Sequence, residues 1–287
     1  MKIKITTDST ADASKDFFDA HDIGYLPQIV NLGGEEYLDT VNITNQDIYD
    51  YVQRTKKLPK SAARSVEDFK EFFLTYLNDG YDAIVHVSIS TNLSCIFKNA
   101  QMAAEQIGAN KVYVVDGRVL STGTLLLALS ARELVDQGKS AKEIAEIITH
   151  RSFMGQTSFV VETLEYLYKG GRCSMLAAFG ANLLKLKPKL QLIDGKIVST
   201  DKYRGKQVAV LKKYIDDTLA LYDNPDRKRC FITHTNVEPE ILKEVIDYVK
   251  SKNVFEEVID TVANSVICVH CGKGTLGLLY LNDGGKI

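Results

Sequence analysis

Short apolar runs and polar helix starts alternate along the first half of the chain. Residues 2–7 alternate between apolar and polar side chains, and residues 82–88 and 111–115 are further short runs, so all three are predicted strands. Capping boxes predict helix starts at Thr44, Ser65 and Ser140. The helices predicted before residue 140 span 11–20, 44–56, 65–77, 94–107 and 121–136. Strands that alternate with helices predict βαβ units around a parallel sheet.

The second half of the chain has a different order of elements. Asp194 and Gly195 separate two strand-like runs, residues 189–193 and 196–202, and this dipeptide is a strong hairpin signal. Further strands are predicted at residues 158–162, 230–235, near 258 and at 266–269, with helices at 163–171, 175–186, 206–222 and 239–250. We therefore predict two α/β domains: residues 1–152 with a parallel, Rossmann-like sheet, and residues 153–287 with a mixed sheet.

The composition of the chain argues against several classes of function. The chain is 45% hydrophobic and 25% charged, as in ordinary globular proteins. Its net charge of -2 shows no excess of basic residues that would favour binding to nucleic acid or to an anionic membrane. The N-terminus has no apolar signal-peptide core, and the longest apolar run, residues 125–129, is too short to span a bilayer. We therefore expect a cytoplasmic protein with no transmembrane segment and no nucleic-acid partner.

Cysteine usage predicts neither a disulfide framework nor a metal site. Five cysteines are spread along the chain, and only Cys268 and Cys271 form a C-x-x-C pair. A structural zinc site needs a second ligand pair at matching spacing, which the sequence does not contain. We interpret the pair as two thiols near a strand end, and expect no metal or cofactor.

Hydroxyl side chains gather where the predicted parallel strands end, which is where α/β sheets bind ligands. Each one singly is more typical of a helix cap than of a ligand contact. However, Ser90, Thr91 and Ser94 cannot all cap one helix, and spare hydroxyls beside helix N-terminal N–H groups form anion sites. The candidates are Ser61, Thr91, Asn92, Ser94 and Ser121.

Two candidates come from the second half. Arg172 follows two glycines, which allow a tight turn that projects its guanidinium, a group suited to a carboxylate or phosphate. The alternative is a surface arginine in a turn. His270 ends the strand predicted at residues 266–269, and the alternative there is a structural histidine.

The sequence lacks the common enzyme signatures, including G-x-S-x-G, H-E-x-x-H and the Walker A motif. A formal G-x-G-x-x-G begins at Gly272, but too few residues follow it for a βαβ unit, so nucleotide binding is excluded there. Asp8 and Asp116 at neighbouring strand ends keep one enzyme hypothesis open, a small-anion phosphatase or transferase. For both residues we favour loop bracing.

Six segments, in order, resemble the DegV family of bacterial fatty-acid-binding proteins. Because the match runs nearly end to end, it is specific. The segments are TDSTAD from Thr7, Lys60 and Ser61 with Ser65, STNLS from Ser90, Asp116 with STG from Ser121, TLEYLYKGGRCS from Thr163, and HCGKGTLG from His270.

The resemblance implies two α/β domains with a long-chain fatty acid between them, such as a C14–C18 acid. It implies a carboxylate held by the hydroxyls of Ser61 and Ser94, with Arg172 and His270 in the surrounding polar network. It also implies a protein that is not itself an enzyme. Family members act as the binding subunit of a fatty acid kinase, presenting the acid to a separate ATP-dependent subunit that makes acyl phosphate for phospholipid synthesis.

The chain departs from the family pattern near the head-group end. Serine replaces threonine at Ser61, Ala62–Arg64 replaces Ser-Gln-Pro, Cys95 replaces glycine and Lys273 replaces proline. These changes bear on the carboxylate geometry and leave the predicted apolar tunnel untouched. They also give some weight to a third hypothesis, an interaction protein with an unfilled cleft.

A fatty-acid tail can supply most of the affinity. A tail of roughly 14 methylenes contributes about 11 kcal/mol before ordering costs. The polar groups would then select an acid over a neutral lipid. The predicted tunnel segments are residues 175–186 and 125–129, whose apolar faces are equally typical of an ordinary core.

Overall fold

The computed structural model describes residues 1–173 and 186–285. The first part of the chain forms seven strands and six helices among these residues. In chain order they are β1 (Ile3–Asp8), α1 (Lys15–Ala20), β2 (Ile23–Leu26), β3 (Ile29–Leu32), β4 (Glu35–Leu38), α2 (Asn45–Thr55), β5 (Lys60–Ala62), α3 (Val66–Asn78), β6 (Ala83–Ser88), α4 (Ile96–Ile107), β7 (Val112–Asp116), α5 (Thr122–Asp136) and α6 (Ala141–Ser152). A single 3-10 turn, Ser9–Ala11, follows β1.

The second part continues with β8 (Gly155–Val160), α7 (Glu165–Lys169), β9 (Lys187–Ile193), β10 (Lys196–Tyr203), α8 (Gln207–Leu221), β11 (Arg229–His234), α9 (Pro239–Ser251), β12 (Glu257–Val262), α10 (Ser265–Cys271) and β13 (Leu276–Leu281). The helix predicted at residues 175–186 falls outside the described residues except for Leu186. Among the described residues, no helix is both long and apolar enough to cross a membrane.

Two larger sheets confirm the predicted α/β class. The first is wholly parallel, in the order β2-β1-β6-β7. The second has the order β10-β9-β8-β13-β11-β12 and is mixed, because β11 and β12 are parallel while the other pairs are antiparallel. The division into domains at residues 152 and 153 stays a prediction.

Local signals located most helix starts correctly. Thr44, Ser65 and Ser140 each accept the backbone N–H of the residue three positions later, and each closes a reciprocal capping box. The Asp194–Gly195 turn joins β9 to β10, with both residues at positive φ. These features depend on neighbours in sequence, which is why the pattern alone predicted them.

Two predicted elements are wrong. The helix predicted at residues 11–20 begins only at Lys15, because Asp12 adopts a left-handed conformation (φ 55°) and Ser14 caps the helix. The strand predicted at residues 266–269 is helix α10. A short apolar run cannot separate a buried strand from a buried helix, and nearly every residue of α10 is buried. The last strand, β13, was missed.

A third, three-stranded antiparallel sheet was also missed. Its order is β4-β3-β5, and each strand has only three or four residues. Such strands are too short and too polar to show a period along the sequence. This sheet nevertheless carries Ser61 on β5, opposite Val30.

The predicted tunnel segment at residues 125–129 belongs to the ordinary core. It lies on α5, which packs against β1 and β6 of the parallel sheet and against β13 of the mixed sheet. Its five side chains are buried in one apolar cluster with residues of both sheets. Helix α10 similarly joins the two parts, because it packs against α2, β3 and β5.

Candidate functional site

Four of the predicted site residues line one cavity: Ser61, Ser94, Arg172 and His270. Its walls come from loops at the carboxyl ends of β1, β6 and β7, from β5, and from α10. Apolar side chains, among them Ile89, Leu93 and Ile267, complete the lining. We call this space the head-group cavity. Its volume is about 60 Å³, roughly that of two waters, at about 30 Å³ each.

Ser61 and His270 form the central contact of the head-group cavity. The Oγ atom of Ser61 lies 2.8 Å from Nε2 of His270, and either atom can be the donor. Burial and, to a smaller extent, the nearby charge of Arg172 together lower the pKa of His270 to about 3. The imidazole is therefore neutral at physiological pH. Its Nδ1 atom is buried and has no hydrogen-bond partner among the described residues.

Gly170 allows this histidine to approach the backbone. A Cβ atom at Gly170 would lie 2.7 Å from Nδ1 of His270, closer than real contacts permit. The glycine that the sequence showed before Arg172 therefore has a second role beyond the turn. It makes room for the imidazole.

Arg172 brings a positive charge to the head-group cavity. Its Nη1 atom donates to the carbonyl of Gly170 at 2.6 Å, which holds the half-buried guanidinium at the cavity. Burial lowers the pKa of Arg172. Among the described residues, no carboxylate pairs with it. A half-buried cation without a counter-charge favours an anionic ligand.

Ser94 caps a helix and lines the cavity at the same time. Its Oγ accepts the N–H of Ile96 at 3.3 Å, at the start of α4. Because Oγ of Ser94 is the acceptor in this bond, its hydroxyl proton remains available to donate to an anion. A hydroxyl donor at a helix start beside an arginine can bind a carboxylate.

The other three predicted site residues lie outside this cavity. The side chain of Asn92 donates to the carbonyl of Asp194 at 3.0 Å, and the backbone N–H of Thr91 donates to Asp116 at 3.2 Å. Ser121 donates to Oδ2 of Asp12 at 2.5 Å and is buried. The side chains of Asn92 and Ser121 and the backbone N–H of Thr91 thus serve contacts within the protein.

Asp8 and Asp116 brace loops. Asp8 is fully buried and accepts both the N–H (3.0 Å) and the hydroxyl (2.5 Å) of Thr10, while burial raises its pKa to about 6. Asp116 accepts the N–H groups of Thr91 and Arg118. One oxygen of each carboxylate is therefore held by groups of the loops at the strand ends. The described residues also contain no group of three or more side chains that could hold a metal ion.

The charged departures from the family pattern, Arg64 and Lys273, and the thiol of Cys95 are not part of the cavity lining. Arg64 pairs with Asp68 at 2.8 Å, and Lys273 lies over the ring of Tyr49. Cys95 is exposed. The departures that do reach the lining are Ser61, which keeps a hydroxyl, and the small side chains of Ala62 and Ala63. The substituted charges therefore point to other partners, and the cavity keeps its cation and hydroxyls.

Sequence reasoning missed several lining residues. Thr10 is one of them, although it belongs to the strand-end motif that follows β1. Gln28 and Ile197 are two more. The packing of the three-stranded sheet and of the β9–β10 hairpin brings them to the cavity, so no local motif marks them as site residues. A wider open groove of about 480 Å³ lies elsewhere, between α1, α2 and β12. It contains none of the predicted site residues.

Elements of all three sheets and helix α10 thus line an apolar cavity that holds a cation, the hydroxyls of Ser61 and Ser94, and a neutral imidazole. This arrangement defines a class of α/β protein with a small pocket suited to an anionic head group. The chain belongs to the DegV family. The family model, described as "Uncharacterised protein, DegV family", matches residues 2–283.

Relatives that are named for fatty acid binding match nearly the whole chain. The "Fatty acid-binding protein" of Thermotoga maritima is 30% identical over 286 residues, with 96% of each chain covered. The solved structure "Fatty Acid Binding of a DegV family Protein from Thermus thermophilus" has a TM-score of 0.89 at 28% identity, covering 98% of this chain and 99% of that one. DegV of Bacillus subtilis, called a fatty acid binding protein, has a TM-score of 0.85 at 26% identity, with 98% and 99% covered.

Proposed function

We propose that this protein binds a long-chain fatty acid, with its carboxylate in the head-group cavity. The observation that carries the proposal is the meeting of Arg172, Ser61 and Ser94 in one apolar cavity where the cation has no carboxylate partner among the described residues. The bound carboxylate supplies the missing counter-charge and accepts from the hydroxyls. His270, being neutral, adds a hydrogen bond without adding charge. The family relatives named for fatty acid binding support this assignment.

The acyl tail must make its own space. The cavity of about 60 Å³ holds a carboxylate, whereas ligand pockets for larger molecules have roughly 300–1,000 Å³. A second small cavity shares Leu120, Ile267 and Cys271 with it and continues toward Phe159 and Leu279. We place the start of the tail along this apolar continuation, where side chains move apart when the acid enters. A C14–C18 acid then gains about 0.8 kcal/mol for each buried methylene.

Binding tests the proposal directly. The purified protein should carry a fatty acid in native mass spectrometry, or take one up when a delipidated sample is titrated. Ser94→Ala should weaken acid binding about tenfold, since it removes a hydrogen bond to a charged group. Ser140→Ala is the matched control, because it removes a helix cap on α6, away from the cavity.

Two outcomes would contradict the proposal. A delipidated protein that takes up no acid of any length has no such site. Equal losses of affinity in Ser94→Ala and Ser140→Ala would assign the effect to helix capping instead of ligand contact.

The protein's role in the reaction is that of a non-catalytic subunit. It presents the carboxylate to a separate fatty acid kinase subunit in the cytoplasm. There the γ-phosphoryl group of ATP is transferred to a carboxylate oxygen, which leaves ADP and gives acyl phosphate for phospholipid synthesis. The loop-bracing bonds of Asp8 and Asp116 support the assignment, since neither carboxylate is held toward the head-group cavity. Acyl phosphate should form only when both subunits, ATP and acid are present. Product from this chain alone would contradict it.

A further inference from the structure

Helix α10 connects the head-group cavity to a buried cluster of carboxylates. Its C-terminal end carries His270 and Cys271, which line the cavity. Its N-terminal end lies against the first part of the chain, where Asp12 and Asp39 are fully buried. The helix has only seven residues, so anything that moves one end also moves the other.

Carboxylates distant in sequence cap this helix. Oδ1 of Asp12 accepts the N–H of Asn264 at 2.8 Å, across 252 positions. Oδ1 of Asp39 accepts the N–H of Ser265 at 2.9 Å, across 226 positions. The residue that normally caps a helix with its own side chain, here Asn264, instead donates to the carbonyl of Ser9. The first N–H groups of α10 therefore depend on Asp12 and Asp39.

Other contacts at the same end reinforce these caps. Asn45 on α2 donates to the carbonyl of Ala263 at 2.8 Å and accepts the hydroxyl of Ser265 at 3.1 Å. Ser121 at the start of α5 donates to the second oxygen of Asp12. Ser121 was a candidate ligand contact, and this bond shows that its hydroxyl serves the cap.

Backbone N–H groups and hydroxyls donate the hydrogen bonds that this cluster accepts in the described part of the chain. Among the described residues, Asp8, Asp12 and Asp39 have no hydrogen bond or ion pair with a lysine or arginine. Burial raises the pKa of Asp39 to about 6 and the pKa of Asp12 well above its usual value. The positive end of the α10 dipole and its free N–H groups are the compensation available to them.

Several titratable groups face the cluster from neighbouring elements. Asp8 approaches from β1, and the thiols of Cys268 and Cys271 approach from α10 itself, where burial raises the pKa of both. Tyr49 on α2 donates to the sulfur of Cys268. Lys15 and Asp260 border the open groove that Asp39 also lines.

We propose that Asp12 and Asp39 are positioning residues for the head-group cavity: they hold the N-terminus of α10 so that His270 meets Ser61. Hydrogen bonds from a supporting shell keep binding groups within about 0.5 Å of their working position. Loss of either cap lets α10 shift along its axis and opens the 2.8 Å contact between Nε2 and Oγ. The ligand part of this inference rests on the proposed function, whereas the position of His270 does not.

The free protein tests the positioning role through the titration of His270, observed by NMR of histidine side chains and assigned with His270→Gln. In the wild-type protein burial keeps the pKa of His270 at about 3, so its signals stay unchanged between about pH 5 and 8. In Asp39→Ala and Asp12→Ala the displaced ring should titrate near its ordinary value of about 6.5. Asp39→Asn and Asp12→Asn keep an acceptor oxygen and should restore the wild-type signals.

A second pair of variants leaves the carboxylates intact. Ser265→Pro removes the N–H that Asp39 accepts, at a first helical position where proline fits without strain. Ser265→Ala removes only the hydroxyl and is its control. The His270 signals should shift in the proline variant and stay in place in the alanine variant, which keeps the test decisive if the Asp→Ala variants do not fold.

Acid binding provides the last measurement. Folded Asp→Ala variants should bind fatty acid about tenfold more weakly than the corresponding Asp→Asn variants. Glu143→Ala removes a capping carboxylate from α6, remote from the cavity, and should change neither His270 nor binding. Unchanged His270 signals in folded Asp12→Ala and Asp39→Ala would overturn the positioning role. Absence of acid binding in the wild-type protein, with the His270 shifts as expected, would instead overturn the proposed function alone.

Discussion

Two groups of polar residues follow β6 within one short loop, and they have different roles. Ser94 lines the head-group cavity, whereas Ser90 and Asn92 hold the turn of the β9–β10 hairpin through the carbonyls of Gly195 and Asp194. Both groups are of the type that binds anions at strand ends. They differ in hydrogen bonding, because the side chains of Ser90 and Asn92 donate to hairpin carbonyls, while Arg172 beside Ser94 lacks a carboxylate partner among the described residues. A polar or charged side chain without a partner in the protein is therefore a better indication of a binding site than the type of residue alone.

The largest effect should come from Arg172→Met, which removes the cation but keeps an apolar side chain. Binding of a fatty acid should weaken by about 3 kcal/mol, or roughly 100-fold, since a charge-assisted contact is lost. Isothermal titration calorimetry of both proteins measures this loss of affinity. A fatty alcohol of the same length is the matched ligand, and its affinity should change little. An equal loss for acid and alcohol would show that Arg172 packs against the tail.

Asp8→Asn should change how stability depends on pH. Because burial raises the pKa of Asp8 to about 6, the folded state binds the proton more tightly than the unfolded chain does. The stabilisation from Asp8 is complete below its ordinary pKa and is lost as the pH rises through about 6. The asparagine variant should therefore gain on the order of 3 kcal/mol relative to wild type between about pH 4 and 7. Denaturant unfolding of both proteins at the two pH values measures the difference between their free energies of unfolding. The same difference at both pH values would contradict the prediction.

Gly195→Ala should separate the hairpin from the loop after β6. Gly195 has a φ of +73°, and an added Cβ would lie 2.5 Å from Oγ of Ser90. The free energy of unfolding should fall by about 2 kcal/mol through backbone strain and the lost contact. Gly80→Ala is the control for strain alone, because Gly80 has a φ of +82° and open space around it. Equal losses in the two variants would mean that the hairpin contact contributes nothing.

The smallest effect should come from Asn92→Ala. It removes one hydrogen bond to Asp194 and should lower the free energy of unfolding by about 1 kcal/mol. The dissociation constant for fatty acid should stay within about twofold of wild type. Thermal unfolding and ligand titration of the same sample give both values. A tenfold loss of affinity for the acid would instead indicate that Asn92 contacts the ligand.

Local sequence predicted the parts of the fold that depend on near neighbours. Helix caps at Thr44, Ser65 and Ser140 join residues three positions apart, and the Asp194–Gly195 turn forms within its own hairpin. The alternation of strands and helices was enough for the parallel sheet. The family motifs added Ser61, Ser94, Arg172 and His270, which the structure brings into one cavity.

By itself, then, the sequence determined the fold class, most of the helix starts, the hairpin and the four residues of the head-group cavity. Only the tertiary structure decided that residues 266–269 are helical, because burial on all sides erases the period that separates strand from helix. It alone showed that Ser121 and Asn92 bond to protein groups. It alone showed that Asp12 and Asp39 cap a helix more than 200 positions away. Such contacts depend on how the chain packs, and no local pattern of apolar and polar residues records them.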